Sequence, residues 1–319
     1  MKIEKATRQA IPFIGCFYGK SGSGKTYSAL KLAQGLAKGG KILAIDTENR
    51  RMSHYSDEFD FDVINLDPPF TPARYLEAMK MAEQEGYSVL VIDSISHEWE
   101  GLGGCIEMAE EGKTSNGKSL TGLNKWAKVK MEHRKLMQNL LQSRIHVIFC
   151  ARAKELLEQT GTGFDAKITY KGIIPIQEKN FPYEMLVTFF MQDGGKVKLE
   201  KCTKGLQDLL KITEKEFITE KHGEIILNWI SKGVEVDFRK TELRNDGLEI
   251  AMEGNLEKLK KWFLNLSKED QLIVSKYKIN DELKTITAQY NEQVEHAVNS
   301  SDFETTEEPK KGEASDNLL

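Results

Sequence analysis

Cysteine is scarce in this sequence of 319 residues, and its four cysteines lie far apart without forming a C-x-x-C pair. This scarcity excludes a disulfide framework and favours buried, reduced thiols in a cytoplasmic protein. Long hydrophobic runs are also lacking, since none approaches the roughly 20 residues that a membrane span requires. The segment before the first apolar strand has mixed charge and lacks the pattern of a signal peptide. We therefore expect a cytoplasmic protein without a membrane segment.

The sequence also lacks a large excess of charge of either sign, because its net charge is -4. Residues 301–319 carry six acidic residues and two lysines, so the rest of the chain is about neutral. This balance excludes a globally basic protein, but nucleic-acid binding needs only a local basic patch. Residues 299–319 are rich in Ser, Thr and Glu, which predicts a disordered acidic tail.

Apolar runs typical of strands alternate with helical stretches between about residues 8 and 204. The early runs FIGCFYG, KILAIDT and SVLVIDS are continuous, as expected of a parallel sheet that helices cover on both faces. The later run GGKVKLEK follows a Gly-Gly turn and predicts an antiparallel hairpin arm. The predicted fold class is therefore α/β with a mostly parallel sheet. We expect a core with a C-terminal extension at 1–234, a three-helix module at 235–298 and the tail at 299–319.

The clearest motif is G-x-x-x-x-G-K-[ST], a P-loop that follows an apolar strand and opens a helix. Its glycines let backbone N–H groups surround phosphates, and the helix N-terminus adds a favourable dipole. Lys25 is expected to reach the β- and γ-phosphates of ATP, and the Thr26 hydroxyl is expected to ligate Mg²⁺. The predicted nucleotide contacts are Gly19, Lys20, Ser21, Gly22, Ser23, Gly24, Lys25, Thr26 and Tyr27.

A second element of a phosphate site is the strand SVLVIDS, which ends in Asp93. Asp93 is predicted to hold Mg²⁺ through its water shell. Because Ser94 follows instead of a glutamate, either the base that polarises the attacking water lies elsewhere or hydrolysis is not the purpose of the site. Glu48 ends the next strand after the P-loop helix and is the predicted base, since the carboxyl ends of parallel strands face one crevice. Glu98 is the alternative base, and His97 beside it is interpreted as a loop residue.

A third element follows the strand IHVIFC, where the sequence continues Ala151-Arg152-Ala153-Lys154. A polar side chain at this position would lie beside the γ-phosphate and could report its presence to the next segment. Arg152 is the predicted sensor, and Lys154 is the alternative.

Together these motifs resemble the RecA-like recombinase core, which has a P-loop, a glutamate after the second strand, an Asp-Ser element and a sensor after the fourth strand. IDTENRRMSHY, VIDSISHEWEG and WAKVKMEHRKLMQNLL more closely resemble phage-encoded RecA-like ATP-binding proteins of the Sak-type single-strand annealing group. The resemblance covers about residues 8–234. It implies a RecA-like ATPase that uses ATP and Mg²⁺ on single-stranded DNA in recombination, annealing or replication, within the host cytoplasm. It also implies a homo-oligomer and contact with a single-strand-binding or replication protein.

The resemblance gives two polar segments a role in binding single-stranded DNA. Residues 112–124 and 155–174 are interpreted as loops, in which lysines neutralise phosphates and aromatic rings stack on bases. The candidate contacts are Lys113, Lys118, Phe164, Lys167, Tyr170 and Lys171. Lys201 and Lys204 are predicted to reach the γ-phosphate of a neighbouring subunit, as paired lysines do in RecA-like assemblies. RecA itself has glutamine where this chain has Arg152, which favours a recombination accessory over a strand-exchange enzyme.

Lys20 leaves another class of function open. A lysine at the second P-loop position occurs in partition-type ATPases, although these usually continue with two glycines. The alternative is therefore a nucleotide-switched partition-like or loader protein that binds protein partners rather than DNA. A small-molecule kinase is disfavoured, because the sequence has no segment of clustered arginines that could form a lid.

Overall fold

The continuous apolar runs form buried strands, and the stretches between them form helices. The computed structural model describes residues 5–113, 119, 121–160, 167–214, 216–234 and 238–301. It divides the chain into two units, Met1–Val236 and Asp237–Leu319. Among the helices that the structure describes, none combines the length and apolar character of a membrane span.

The first unit is built on one eight-stranded sheet. Its strands are β1 Ile14–Gly19, β2 Ile42–Asp46, β3 Asp62–Asn65, β4 Val89–Asp93, β5 His146–Thr160, β6 Lys167–Pro175, β7 Val187–Met191 and β8 Val197–Lys201. The strand order is β3-β2-β4-β5-β1-β7-β8, and β6 pairs with β5. The β7–β8 and β5–β6 pairs are antiparallel, whereas the other pairs are parallel. The mostly parallel α/β fold and the antiparallel hairpin arm are thereby confirmed.

The register of the central strands brings several predicted site residues to one edge of the sheet. Asp46 at the end of β2 lies opposite Asp93 at the end of β4. Gly19 at the end of β1 lies opposite Arg152 on β5, which separates β1 from β4. The start of the P-loop, both aspartates and Arg152 therefore share the carboxyl edge of neighbouring parallel strands, where ligands of α/β sheets bind.

Helices cover both faces of this sheet. In the first unit they are α1 Lys25–Ala37, α2 Pro72–Gln84, α3 Ser96–Glu100, α4 Cys105–Glu110, α5 Lys125–Leu141, α6 Phe181–Glu184, α7 Lys204–Leu210 and α8 Glu220–Ser231. Alternate β4 side chains enter different cores: Val91 packs with α1 and α8, and Leu90 packs with α2 and α5. α1 and α8 approach closely at Gly35, where a Cβ would lie 1.9 Å from the Glu220 carbonyl oxygen.

The described parts of the segment 155–174, residues 155–160 and 167–174, form strands, so the loop interpretation was wrong for them. β5 continues past Arg152 to Thr160 and pairs with β6 as an antiparallel ribbon. Ile168 and Tyr170 are residue types that favour extended backbone, yet they are well exposed. A ribbon with little buried surface carries no alternating apolar pattern, which explains why the sequence suggested a loop.

The second unit is helical in its described part, residues 238–301. It contains α9 Phe238–Ala251, α10 Leu256–Asn265, α11 Lys268–Lys276 and α12 Ile279–Ser301, four helices instead of the expected three. Leu259 and Leu283 belong to its core, and Ser267 caps α11 by accepting a hydrogen bond from the Asp270 backbone N–H at 3.1 Å. α9 is mostly polar, so its helical period is weak in the sequence. The acidic tail was predicted at residues 299–319, and its residues 302–319 lie outside the part of the chain that the structure describes.

Candidate nucleotide site

The P-loop joins the end of β1 to the start of α1. Gly22 and Gly24 have φ angles of 78° and 83°, in the left-handed region that favours glycine. A Cβ added to Gly22 would meet no atom within 4 Å, so open space lies beside the loop. The Oγ of Ser23 is buried and has no hydrogen-bond partner among the residues that the structure describes. A phosphate oxygen bound in the loop would supply that partner.

Lys25 and Thr26 begin α1 and face the loop and β4. The Lys25 ammonium donates hydrogen bonds to the carbonyl oxygens of Gly19 at 3.1 Å and Lys20 at 2.8 Å. The Thr26 hydroxyl donates to the carboxylate of Asp93, which is buried. Burial raises the pKa of Asp93 to about 6, although the hydrogen bond from Thr26 lowers it. The predicted Mg²⁺ ligands are therefore in direct contact.

Glu48 and Arg152 form a two-pronged ion pair at the carboxyl edge of the sheet. Arg152 donates from Nε to one Glu48 carboxylate oxygen at 2.8 Å and from Nη2 to the other at 2.7 Å. The Arg152 backbone N–H is held by the Ser96 hydroxyl at 2.9 Å. The predicted base and the predicted sensor are thus bound to each other.

The charge of Glu48 is controlled by its neighbours. Burial alone would raise its pKa, but the hydrogen bonds and charge of Arg152 outweigh burial and lower it, with help from His97 and Arg51. The same ion pair raises the pKa of the Arg152 guanidinium. Glu48 is therefore a carboxylate at neutral pH, with both oxygens engaged.

Thr47 and His97 complete the surroundings of Glu48, and the prediction did not include Thr47. The Thr47 hydroxyl accepts a hydrogen bond from the Ser94 backbone N–H at 2.7 Å and lies 2.7 Å from Nδ1 of His97. Nε2 of His97 lies 3.9 Å from the Glu48 carboxylate, and Phe70 stacks on the imidazole. Burial, followed by the charge of Arg152, lowers the pKa of His97. His97 belongs to α3, so its interpretation as a loop residue was wrong.

Glu98, the alternative base, faces a different set of partners. Its side chain is fully buried. One carboxylate oxygen lies 3.1 Å from the Cys105 sulfur and 3.0 Å from Nδ1 of His133, and the other accepts a hydrogen bond from Gln177 at 3.0 Å. Adjacent residues of α3 thus face two different environments, His97 beside Glu48 and Glu98 in this second cluster.

The candidate DNA contacts are only partly described. Lys118 and Phe164 lie outside the described residues, and of Lys167 only the backbone is described. Lys113 is exposed and forms an isolated bridge with Ser119. Tyr170 is exposed on β6, whereas Lys171 pairs with Glu158 across the ribbon at 2.7 Å. That pair reduces the positive charge which the ribbon offers to a phosphate.

The remaining predicted residues lie at the edges of the nucleotide site or away from it. Lys201 donates to the carbonyl oxygens of Pro182 and Tyr183 at 3.2 and 2.6 Å, and Lys204 is exposed at the start of α7. Lys20 and Ser21 are exposed on the P-loop. Tyr27 is partly exposed on α1, with its ring 5.3 Å from that of Phe59. The roles assigned to these residues stay predictions.

The sequence reading missed a basic surface on α5. Lys128, Lys130, Arg134 and Lys135 are exposed on this helix, opposite the buried face formed by residues such as Leu136 and Leu140. These charges occupy positions of α5 that alternate with the apolar positions of its buried face, which was visible in the sequence and could have identified the surface. α5 follows residues 112–124, the first predicted DNA-binding segment.

A P-loop between β1 and α1, with acidic side chains at the ends of β2 and β4, defines this mostly parallel α/β fold as that of a P-loop nucleotide-binding protein. A family model described as "AAA domain" (AAA_24) matches residues 12–219, more than half of the chain, and the chain belongs to that family.

Two solved structures are similar in fold to this chain. The RadB recombinase is 18% identical, with 68% of this chain and 91% of that chain covered and a TM-score of 0.36. A KaiC-like protein from the archaeon Pyrococcus horikoshii OT3 is 15% identical, with 63% and 89% covered and a TM-score of 0.33. No curated protein sequence shows a significant match to the chain.

Proposed function

We propose that this protein is a Mg²⁺-dependent ATPase that acts on single-stranded DNA, in the recombination, annealing or replication of a phage. The observation that carries the proposal is the Glu48 carboxylate, held by Arg152 at the edge of the sheet where the P-loop begins. The closer relation to the Sak-type annealing group is part of this proposal.

The P-loop residues fit a nucleoside triphosphate. Positive φ angles such as those of Gly22 and Gly24 occur in loops that surround an anion with backbone N–H groups. The buried Ser23 hydroxyl adds a group without a partner among the described residues. Lys25 now donates to two carbonyl oxygens of its own loop, and it can exchange them for phosphate oxygens with little movement of its backbone. These residues would bind and orient the triphosphate.

Thr26 and Asp93 fit a Mg²⁺ ion. The Thr26 hydroxyl would be a direct ligand and the Asp93 carboxylate would hold water ligands, since the two groups already touch. Bound Mg²⁺ would neutralise charge on the β- and γ-phosphates. Asp93 is buried, so its charge is poorly compensated until a cation arrives.

Glu48 would accept a proton from the attacking water at a carboxylate oxygen. Both of its oxygens are bound by Arg152 in this structure, so one must be released before it can act as a base. The Arg152 side chain is 44% exposed and can turn toward a γ-phosphate. If Arg152 released Glu48 and bound the γ-phosphate instead, Glu48 would be free to act as a base only when a triphosphate is bound. Hydrolysis would then depend on the bound triphosphate.

Two features support single-stranded DNA as the partner. The exposed lysines and arginine of α5 form a local basic surface in a nearly neutral chain. β5 carries Arg152 and then continues into the ribbon, where it pairs with β6, which carries the exposed Tyr170. The predicted sensor and a candidate base-stacking ring therefore belong to one pair of hydrogen-bonded strands. Nucleotide state at Arg152 could therefore alter the ribbon, and DNA on the ribbon could alter turnover.

The ATPase half is tested with Glu48→Gln. The variant should bind ATP with wild-type affinity, while turnover with Mg²⁺ falls by about 100-fold or more, because the amide cannot accept the proton. Glu85→Gln, at an exposed position after α2, is the matched control and should keep full turnover. Unchanged turnover in Glu48→Gln would refute the role of Glu48 as the base.

The DNA half is tested with labelled single-stranded oligonucleotide, with ATP, with ADP and without nucleotide. A variant with Lys130, Arg134 and Lys135 changed to Gln should bind more weakly, and the slope of log K against log salt should fall by about 2. The control variant changes the exposed Lys38, Lys80 and Lys232 to Gln. Equal losses in both variants, or no binding by the wild type, would refute the DNA assignment.

Light scattering with and without ATP tests the predicted homo-oligomer and the roles of Lys201 and Lys204. An ATP-dependent oligomer that binds no DNA would favour the alternative function, an interaction ATPase with protein partners. Loss of that oligomer in Lys20→Ala would point to a partition-like dimer.

A further inference from the structure

Three side chains of different chemistry meet in the second cluster, away from the P-loop. Glu98 on α3, Cys105 on α4 and His133 on α5 are all buried, and one potential ligand atom of each lies within 4.8 Å of the others. The Glu98 oxygen is 3.1 Å from the Cys105 sulfur and 3.0 Å from Nδ1 of His133. These separations are close to those between neighbouring ligands of a tetrahedral metal ion whose bonds are about 2.0 to 2.3 Å long.

We propose that Glu98, Cys105 and His133 form a zinc site. A mixed set of carboxylate oxygen, thiolate sulfur and imidazole nitrogen suits Zn²⁺ and does not suit Mg²⁺ or Ca²⁺, which prefer oxygen ligands. Three protein ligands leave a fourth position, which water can fill.

Charge balance supports this assignment. The Glu98 carboxylate is fully buried beside His133, and a buried carboxylate is costly unless hydrogen bonds and a positive charge, from a protonated histidine or a metal ion, compensate it. On binding, a bond forms between Zn²⁺ and the Cys105 sulfur, and the thiol proton leaves to solvent. His133 binds as neutral imidazole through Nδ1. The ion with one carboxylate and one thiolate then has no net charge, which suits a buried position.

The surroundings hold the ligands in place. Gln177 donates to the second Glu98 oxygen at 3.0 Å and to the Ile95 carbonyl oxygen at 3.0 Å, which fixes the carboxylate. Trp99 lies against the His133 ring with its centroid 5.5 Å away, and Trp99 also stacks on Trp126. Val129 adds to this apolar shell, which limits access of water.

The ion would have a defined structural effect. It would tie α3 to α4 and α5, and α3 carries His97 next to Glu48. The zinc site therefore anchors α3, a helix that borders the nucleotide site. It also joins α4 to α5, the two helices on either side of the first predicted DNA-binding segment, residues 112–124.

The test uses the full chain after chelation, with excess Mg²⁺ present to fill the Thr26–Asp93 site. Wild-type protein should take up one Zn²⁺ per chain by metal analysis. Co²⁺ in its place should give the visible bands of a tetrahedral ion and a thiolate charge-transfer band. Free Zn²⁺ at about 100 times its Kd should raise Tm by roughly 5 to 10 °C.

Cys105→Ser should lose the thiolate band and most zinc uptake, and His133→Gln should lose zinc uptake. Cys202→Ser is the matched control, since Cys202 is a half-buried free thiol outside the cluster, and it should retain both signals. Wild-type protein that takes up no zinc, or a cobalt spectrum without a thiolate band, overturns the proposal whether or not the variants fold. A band that persists in Cys105→Ser and disappears in Cys202→Ser also overturns it.

Discussion

Replacing Asp93 with asparagine should stabilise the Mg²⁺-free protein while abolishing ATP turnover. The reason is that Asp93 is a buried carboxylate placed to meet a cation, so it destabilises the fold when the cation is absent. Asparagine has nearly the same shape, carries no charge and can still accept the hydrogen bond from Thr26.

The magnitude follows from the pKa of Asp93, which burial raises from 3.8 to about 6. This difference corresponds to about 3 kcal/mol of unfolding free energy. The folded protein keeps the Asp93 proton to higher pH than the unfolded chain. Stability is therefore unaffected below pH 3.8, falls as the pH rises toward 6, and has lost the full amount above the folded pKa.

The assay is thermal unfolding in a chelator at about pH 7.5 and about pH 5, combined with ATP turnover in Mg²⁺. Asp93→Asn should raise Tm by about 6 to 12 °C at the higher pH, and its stability advantage should fall to about half at the lower pH. Turnover should be lost, because the amide cannot hold the water shell of the metal.

Asp46→Asn is the matched control. Asp46 is the buried partner of Asp93 in the strand register, but its two oxygens accept the backbone N–H groups of Glu48 at 2.7 Å and Met52 at 2.8 Å. An amide can replace only one acceptor, so this variant should lose about 1 to 3 kcal/mol. A less stable Asp93→Asn protein at about pH 7.5, or an advantage that does not shrink on acidification, would refute the reasoning.

Two further predictions concern the Glu48 ion pair and the packing of α1. Arg152→Met should lower kcat by about 100-fold. It should also move the acid limb of the pH–rate profile to higher pH, because Arg152 lowers the pKa of Glu48. An acid limb that does not move would exclude Glu48 as the titrating base. Gly35→Ala should lower the unfolding free energy by about 1 to 3 kcal/mol in chemical denaturation, since its Cβ would lie 1.9 Å from the Glu220 carbonyl oxygen. Gly205→Ala, whose Cβ has its nearest contact at 3.9 Å, should not destabilise, and equal losses in both would contradict the packing argument.

Much of the fold could be predicted from the sequence because buried parallel strands and P-loops have strong local signatures. β1, β2 and β4 are continuous apolar runs, and their alternation with helices indicated the mostly parallel sheet. The β5–β6 ribbon was missed because its strands are largely exposed, so burial leaves no periodic pattern in their sequence. α9 was missed as a separate helix for a related reason, since few of its positions are apolar.

The candidate site also has a part that the sequence predicts and a part that it does not. The P-loop, Asp93, Glu48 and Arg152 could be found from motifs and strand ends, because those features depend on residues close together in the sequence. Their contacts could not be found from the sequence, because Arg152 lies 104 residues from Glu48. Only the register of β2, β4 and β5 brings the two side chains together. The same holds for Glu98, Cys105 and His133, whose spacing matches no short metal motif.

The sequence by itself therefore determined the mostly parallel α/β class, the phosphate-binding loop and the alternation of buried strands with helices, since these depend on local composition and period. Only the tertiary structure decided that Glu48 is bound to Arg152, that Lys171 is paired with Glu158, and that Glu98 belongs to a separate cluster. The physical reason is that such pairings depend on strand register and helix packing, which join residues distant along the chain and leave no local pattern.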